Sequence, residues 1–126
     1  MAFNNDKAIY LQIADRLSDE VLAHVYADES RIPSVREYAV RLGVNANTAV
    51  KAYDQLAREG IIYNKRGLGY FVSYGACERI REARREAFAH GTLPEVFRQM
   101  RLLGVSIDDV VRIYHAYEAA GSEKTL

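Results

Sequence analysis

Side chains able to read the edges and phosphates of a nucleic-acid duplex are concentrated in one stretch of this chain. Ser34 and Arg36 come first, then Asn45, Asn47, Thr48, Val50 and Lys51, then the cations Lys65 and Arg66, which lead into the turn-forming Gly67, Leu68 and Gly69. Asparagine pairs bidentately with adenine, lysine reaches guanine acceptors or a phosphate, and valine can meet the methyl of thymine. The charge distribution agrees with this concentration. Residues 1–30 carry six acidic and two basic side chains, a balance of −4, while residues 31–70 carry seven basic and three acidic, a balance of +4. The remaining residues balance at eight and eight, so a net charge of zero conceals a basic section. Such asymmetry is the electrostatic footprint expected of a surface facing polyanions.

Other chemistries find little support. His24, His90 and His115 are far apart and fit no metal-binding spacing, and Cys77 is the only cysteine. That excludes an internal disulfide and a cysteine-built metal centre. Asp108 and Asp109 read as the acidic first turn of a helix rather than a catalytic carboxylate pair. No phosphate-binding glycine loop or dinucleotide turn is present, so the chain is expected to be no enzyme and to need no cofactor. The polar start Met1–Lys7 and the lack of a bilayer-length apolar run predict a cytoplasmic protein without membrane contact.

The elements that must position the candidate residues can be read from periodicity. Ile9, Ile13, Leu17, Val21 and Val25 recur at helical spacing and predict a first helix over about Ala8–Val25. Ile32 reads as a brief edge strand, and Pro33 fixes the backbone before the next element. Ser34-Val35-Arg36-Glu37 has the form of a capping box and opens a second helix, with Val35, Tyr38, Ala39 and Leu42 inward and Gly43 as its stop. Asn45 caps a third helix over about Ala46–Glu59. Two helices joined by a short glycine-containing turn form a helix-turn-helix. Strands at Ile61–Asn64 and Tyr70–Ser73 around Lys65–Gly69 add a hairpin, which makes a winged helix.

Projected at helical pitch, the third helix turns Ala49, Ala52, Tyr53 and Leu56 to the core and Asn47, Lys51, Asp54 and Arg58 away from it, with Val50 and Gln55 on the flanks. The start of the second helix of such a motif enters the major groove. Asn47 and Lys51 then fall within reach of bases or phosphates. Asn45 and Ser34 serve first as caps, and Arg36 points away from the inward face of its helix. Lys65 and Arg66 stand where a wing makes minor-groove or phosphate contacts.

These residues also carry a resemblance. Ile32-Pro33-Ser34-Val35-Arg36-Glu37-Tyr38-Ala39, Gly43-Val44-Asn45-Ala46-Asn47-Thr48-Ala49, Ala52-Tyr53, Glu59-Gly60-Ile61-Ile62 and Arg66-Gly67-Leu68-Gly69-Tyr70-Phe71-Val72 closely resemble the GntR family of regulators, and Ile9–Ala14 resembles its first helix. The Asn-x-Asn-Thr and Ala-Tyr pattern with a short tail is similar to the YtrA-type subfamily. The resemblance implies DNA contact by Ser34, Arg36, Asn45, Asn47, Thr48 and the Arg66–Gly69 wing, and dimerisation through two C-terminal helices without a large effector domain. Ala46 stands where that group often has proline. Leu68 and Tyr70 stand where it often has lysine or threonine, which shifts the expected wing contacts to Lys65 and Arg66.

After the hairpin the pattern is purely helical: about Cys77–Ala89, a kink or break near Gly91-Thr92-Leu93-Pro94, a segment to Gly104, and a last helix capped by Ser106 and running to about Ala120. Ile80, Phe88, Phe97, Met100, Leu103, Val110, Ile113, Tyr114 and Tyr117 form apolar stripes larger than short helices bury alone. Burial against a second copy, or back onto the first helix, would cover them. The expected fold is mainly α with a small β-hairpin: a DNA-binding winged helix-turn-helix over residues 1–74 and a helical dimerisation tail over 75–126. The expected function is a dimeric regulator, a repressor, on palindromic double-stranded DNA. Competing readings are a winged-helix protein-interaction module and a small-molecule sensor gated at the dimer interface, with an unknown effector.

Overall fold

The computed structural model describes residue 3 and residues 6–124. Two compact units divide the chain, Met1–Ala83 and Arg84–Leu126. In the first, helix α1 (Ile9–Leu22) is followed by α2 (Val35–Leu42), α3 (Ala46–Arg58), and the antiparallel strands β1 (Ile62–Lys65) and β2 (Gly69–Val72). The mainly helical fold with one hairpin is the one expected, a winged helix-turn-helix.

Helix α1 is shorter than its apolar period. His24 takes a left-handed φ of 59°, and the Val25 N–H donates back to the Glu20 carbonyl at 2.9 Å, closing the helix in the way a C-terminal glycine usually does. Val25 therefore leaves the stripe and is exposed, while Ile13, Leu17 and Val21 are fully buried. The stop was hidden because a histidine, not a glycine, adopts it.

Helix α2 starts with the expected capping box. The Glu37 N–H donates to Ser34 Oγ at 3.1 Å, and the Ser34 N–H donates to Glu37 Oε1 at 3.5 Å. Gly43, with φ 68°, ends it, and the Asn47 N–H donates to Asn45 Oδ1 at 2.7 Å to begin α3. Tyr38, Ala39 and Leu42 of α2 and Ala49, Ala52, Tyr53 and Leu56 of α3 are buried as their spacing requires. Val35 is only half-buried, because it packs at the edge of this core.

In the hairpin, Ile62 pairs with Val72 and Lys65 with Gly69. The chain before α2 joins its free edge. Arg31 bridges Phe71, and the Ile32 N–H donates to the Tyr70 carbonyl at 3.0 Å. The brief edge strand is thus present, one residue earlier than its apolar residue suggested.

Helix α4 (Ala76–Ala87) begins by completing the core of the first unit. A π-helical turn (Phe88–Thr92) and α5 (Leu93–Leu103) follow without a break. Pro94 has no N–H and would press on the carbonyl four residues before it, and a widened turn absorbs both problems. Gly104, with φ 69°, ends α5, and α6 (Ile107–Lys124) follows, longer than its pattern suggested. Ser106 caps α6 through a reciprocal pair: the Asp109 N–H donates to Ser106 Oγ at 3.1 Å, and the Ser106 N–H donates to Asp109 Oδ2 at 3.0 Å.

Candidate nucleic-acid interface

The outward face of α3 is set by what its inward face must bury. With Ala49, Ala52, Tyr53 and Leu56 committed to the core, Asn47, Val50, Lys51, Asp54 and Arg58 are left in solvent, and Thr48 is half-buried beside them. Asn45 is exposed, but its carboxamide oxygen is occupied by the cap. Ser34 is half-buried with its hydroxyl in the capping box, and Arg36 stands exposed on the first turn of α2.

Several of the molecule's cations are tied down. Arg41 donates to the Tyr26 hydroxyl, Arg58 to Gln55, Arg79 to the Gly60 carbonyl, Arg98 to Glu95 and Arg112 to Asp109. Among the described residues, Arg36, Lys51 and Arg66 make no such bond. Their charges remain available to a polyanion. A groove of about 230 Å³, lined by Tyr10 of α1 and by Lys51, Asp54 and Arg58, opens on the same face of α3. It is smaller than the several hundred Å³ of an ordinary small-molecule pocket.

At the wing tip, the Leu68 N–H donates to the Lys65 carbonyl at 2.8 Å, closing a turn in which Gly67 has φ 80°. A side chain other than glycine rarely adopts that angle, so Gly67 is required by the turn itself. Arg66 and Leu68 project from the turn exposed. Lys65 is committed differently: its ammonium lies 4.8 Å from the centroid of the Phe71 ring, and Phe71 stacks on Tyr63 at 5.8 Å. This cation–π contact holds Lys65 against the hairpin. Arg66 is therefore the cation at the tip.

One residue ties α2, α3 and the hairpin together, and its role was not evident from spacing. The Tyr53 ring meets Tyr38 of α2 at 6.1 Å and the edge of Tyr70 of β2 at 5.1 Å. Its hydroxyl donates to the Pro33 carbonyl at 2.7 Å, immediately before the Ser34 cap. Helical projection assigned Tyr53 to the core but gave no partner for its hydroxyl. Burial, and then the negative groups around it, push that hydroxyl far above the usual tyrosine range, so it stays a donor. Tyr38 donates likewise to Glu20 of α1, with burial the larger cause of its raised pKa and Glu20 the next. Helices α1, α2 and α3 and the wing are thereby fixed in one arrangement.

The expected dimerisation residues divide. Ile80 is 2% exposed and belongs to the core of the first unit, because the start of α4 packs there beside Cys77, whose thiol donates to the Val21 carbonyl at 3.5 Å. It has no surface to offer a partner. Phe88, Phe97, Leu103, Ile113, Tyr114 and Tyr117 are each more than half exposed, and Met100 and Val110 are half-buried. From residue 84 to residue 121 no side chain is fully buried. Among the described residues no cluster of His, Cys, Asp or Glu could hold a metal, and no helix is long and apolar enough to cross a membrane.

Comparison with known proteins meets this geometry. Residues 9–72 match the model of bacterial regulatory proteins of the gntR family. The HTH-type transcriptional regulator YhcF of Bacillus subtilis is 29% identical over 119 residues, covering 94% of this chain and 97% of that protein. The HTH-type transcriptional repressor YtrA of the same organism is 41% identical over 68 residues, which span 54% of this chain and 52% of that repressor. A crystal structure of a GntR-family transcriptional regulator from Bacteroides thetaiotaomicron superposes with a TM-score of 0.81 at 45% identity, over 90% of this chain and 99% of that one. The same residues thus match in motif, fold and family model, and the chain belongs to the GntR family of DNA-binding transcription regulators, which are not enzymes.

Proposed function

We propose that this regulator binds a palindromic operator as a homodimer and represses transcription by occluding a promoter. The carrying observation is the outward face of α3, where Asn47, Val50 and Lys51 are exposed at the start of the helix while its other side is locked in the core. Asn47 is the candidate adenine reader, Val50 the candidate contact for a thymine methyl, and Lys51 the guanine or phosphate contact. Arg36 and the Arg66–Gly69 wing are candidate phosphate and minor-groove contacts, with the hydroxyls of Ser34 and Thr48 and the carboxamide nitrogen of Asn45 as further candidate donors nearby. Lys65 adds its charge from above Phe71. The repressor assignment follows the likeness to YtrA, whose name describes it as a repressor.

Dimerisation rests on the second unit. A helical segment with no fully buried side chain of its own gains burial from a second copy, and a two-fold dimer suits a palindrome. On this reading residues 1–74 bind DNA and the tail dimerises beyond the start of α4, which the first core claims, with the surface drawn from Phe88, Phe97, Met100, Leu103, Val110, Ile113, Tyr114 and Tyr117.

Selection of bound duplexes from a randomised pool, followed by stoichiometry on the enriched sequence, tests the proposal. An inverted repeat bound by two chains is expected. Enrichment of an unrepeated site bound by one chain would overturn the dimeric operator, and no enrichment would overturn sequence-specific binding.

A further inference from the structure

The hairpin supplies one free cation to the wing, and a second reaches it from outside. Arg31 precedes α2, and its backbone bridges Phe71 on the open edge of β2. Bonds on either side hold it there: the Ile32 N–H donates to the Tyr70 carbonyl at 3.0 Å and the Val72 N–H donates to the Ser30 carbonyl at 2.9 Å. The side chain lies across the wing above Gly69. A Cβ built on Gly69 would stand 3.3 Å from Arg31 Nε and 3.6 Å from its Nη2. Gly69 also has φ 105°, so both its backbone and the guanidinium over it favour the absence of a side chain.

Arg31 is exposed, and among the described residues its guanidinium makes no hydrogen bond or ion pair, unlike Arg41, Arg58 and Arg79 of the same unit. We propose that Arg31 is a DNA contact of this protein, its guanidinium binding a backbone phosphate beside the groove that the wing enters, with Gly69 kept bare so that it can lie there. A planar fork of donors suits a phosphate, and the bridged backbone holds it in place. The contact carries no sequence information, because the phosphate is the same at every step. This inference rests on the hairpin being a DNA-contacting wing.

The test uses the full chain and a labelled duplex enriched from a randomised pool, with affinity measured across a salt series. Arg31→Gln should weaken binding about tenfold, equally on all enriched sequences, and should reduce the slope of log affinity against log salt by about one. Arg31→Lys keeps charge and stem, and should restore the slope while recovering only part of the affinity. Arg112→Gln, an equal charge change in the second unit, should alter neither. Wild-type affinity and slope in a folded Arg31→Gln, with Arg66→Gln impaired, would overturn the Arg31 contact and leave the wing standing. If neither variant changes binding while Asn47→Ala does, the wing itself is not a DNA contact and both readings fall. An equal loss in Arg112→Gln would reduce the effect to net charge and also overturn the contact.

Discussion

At the scale of single residues, the proposed DNA recognition depends on a few side chains whose freedom is created by others. Asn47 can read a base because Asn45, not Asn47, caps α3. Asn47→Ala should cost about 1–3 kcal/mol of operator binding and relax preference at one base pair, as measured by affinity on a panel of single-position operator variants. Equal loss on every variant would instead mark a phosphate contact. Tyr53 acts at one remove. Its hydroxyl satisfies the Pro33 carbonyl, and its ring touches both Tyr38 and Tyr70. Tyr53→Phe keeps the ring and strands the carbonyl, so urea denaturation should show a loss of about 1–3 kcal/mol. Operator affinity should fall at temperatures where the variant is still fully folded, because the start of α2 is no longer tied to α3. Asn47 and Lys51 were visible in the sequence because helical projection alone turns them outward. The bond from Tyr53 to Pro33 was not, since periodicity places a ring in the core without naming what its hydroxyl meets.

At the scale of elements, the winged helix was legible wherever local chemistry marks its own boundary. Ser34 with Glu37, Asn45 and Gly43 are residue types that start or stop helices by their own bonding, and α2 and α3 lie where they indicate. Ser34→Ala should destabilise the protein by about 1 kcal/mol in thermal or urea unfolding, a value typical of a lost N-cap. The stop after α1 and the passage through Pro94 were less legible. A left-handed histidine and a π-helical turn depend on the surrounding fold rather than on residue preference. The cap of α6 gives a pH prediction. The Ser106 backbone N–H, then the Ser106 hydroxyl and Arg112, hold the Asp109 carboxyl below its usual range. A carboxyl depressed on folding stabilises the folded state above its unfolded pKa, and that contribution is lost as pH falls through the folded pKa. Asp109→Asn should therefore narrow the gap between melting temperatures at neutral and acid pH, and an unchanged gap would show that this cap does not couple to stability.

At the scale of the whole molecule, two units have different needs. The first has a core that extends from Ile13 to Ile80, while the described part of the second fully buries no side chain. The sequence showed the apolar stripes of the tail but could not separate Ile80, which the first unit claims, from residues such as Phe97 and Tyr114, which stay exposed. That division depends on how far the core reaches along α4, a matter of tertiary packing rather than of periodicity. Phe97→Glu combined with Tyr114→Glu should convert a dimer to a monomer in light scattering, because burying carboxylates in an apolar contact is strongly unfavourable. A variant that remains dimeric would place the interface elsewhere. The neutral total charge likewise hides a basic section at residues 31–70. The central claim, that this section reads DNA through α3, is tested most directly by a gel-shift titration of Arg36→Glu with Lys51→Glu on the enriched duplex. Loss of detectable operator binding with the dimer intact is the predicted result, and wild-type binding by the double variant would contradict it.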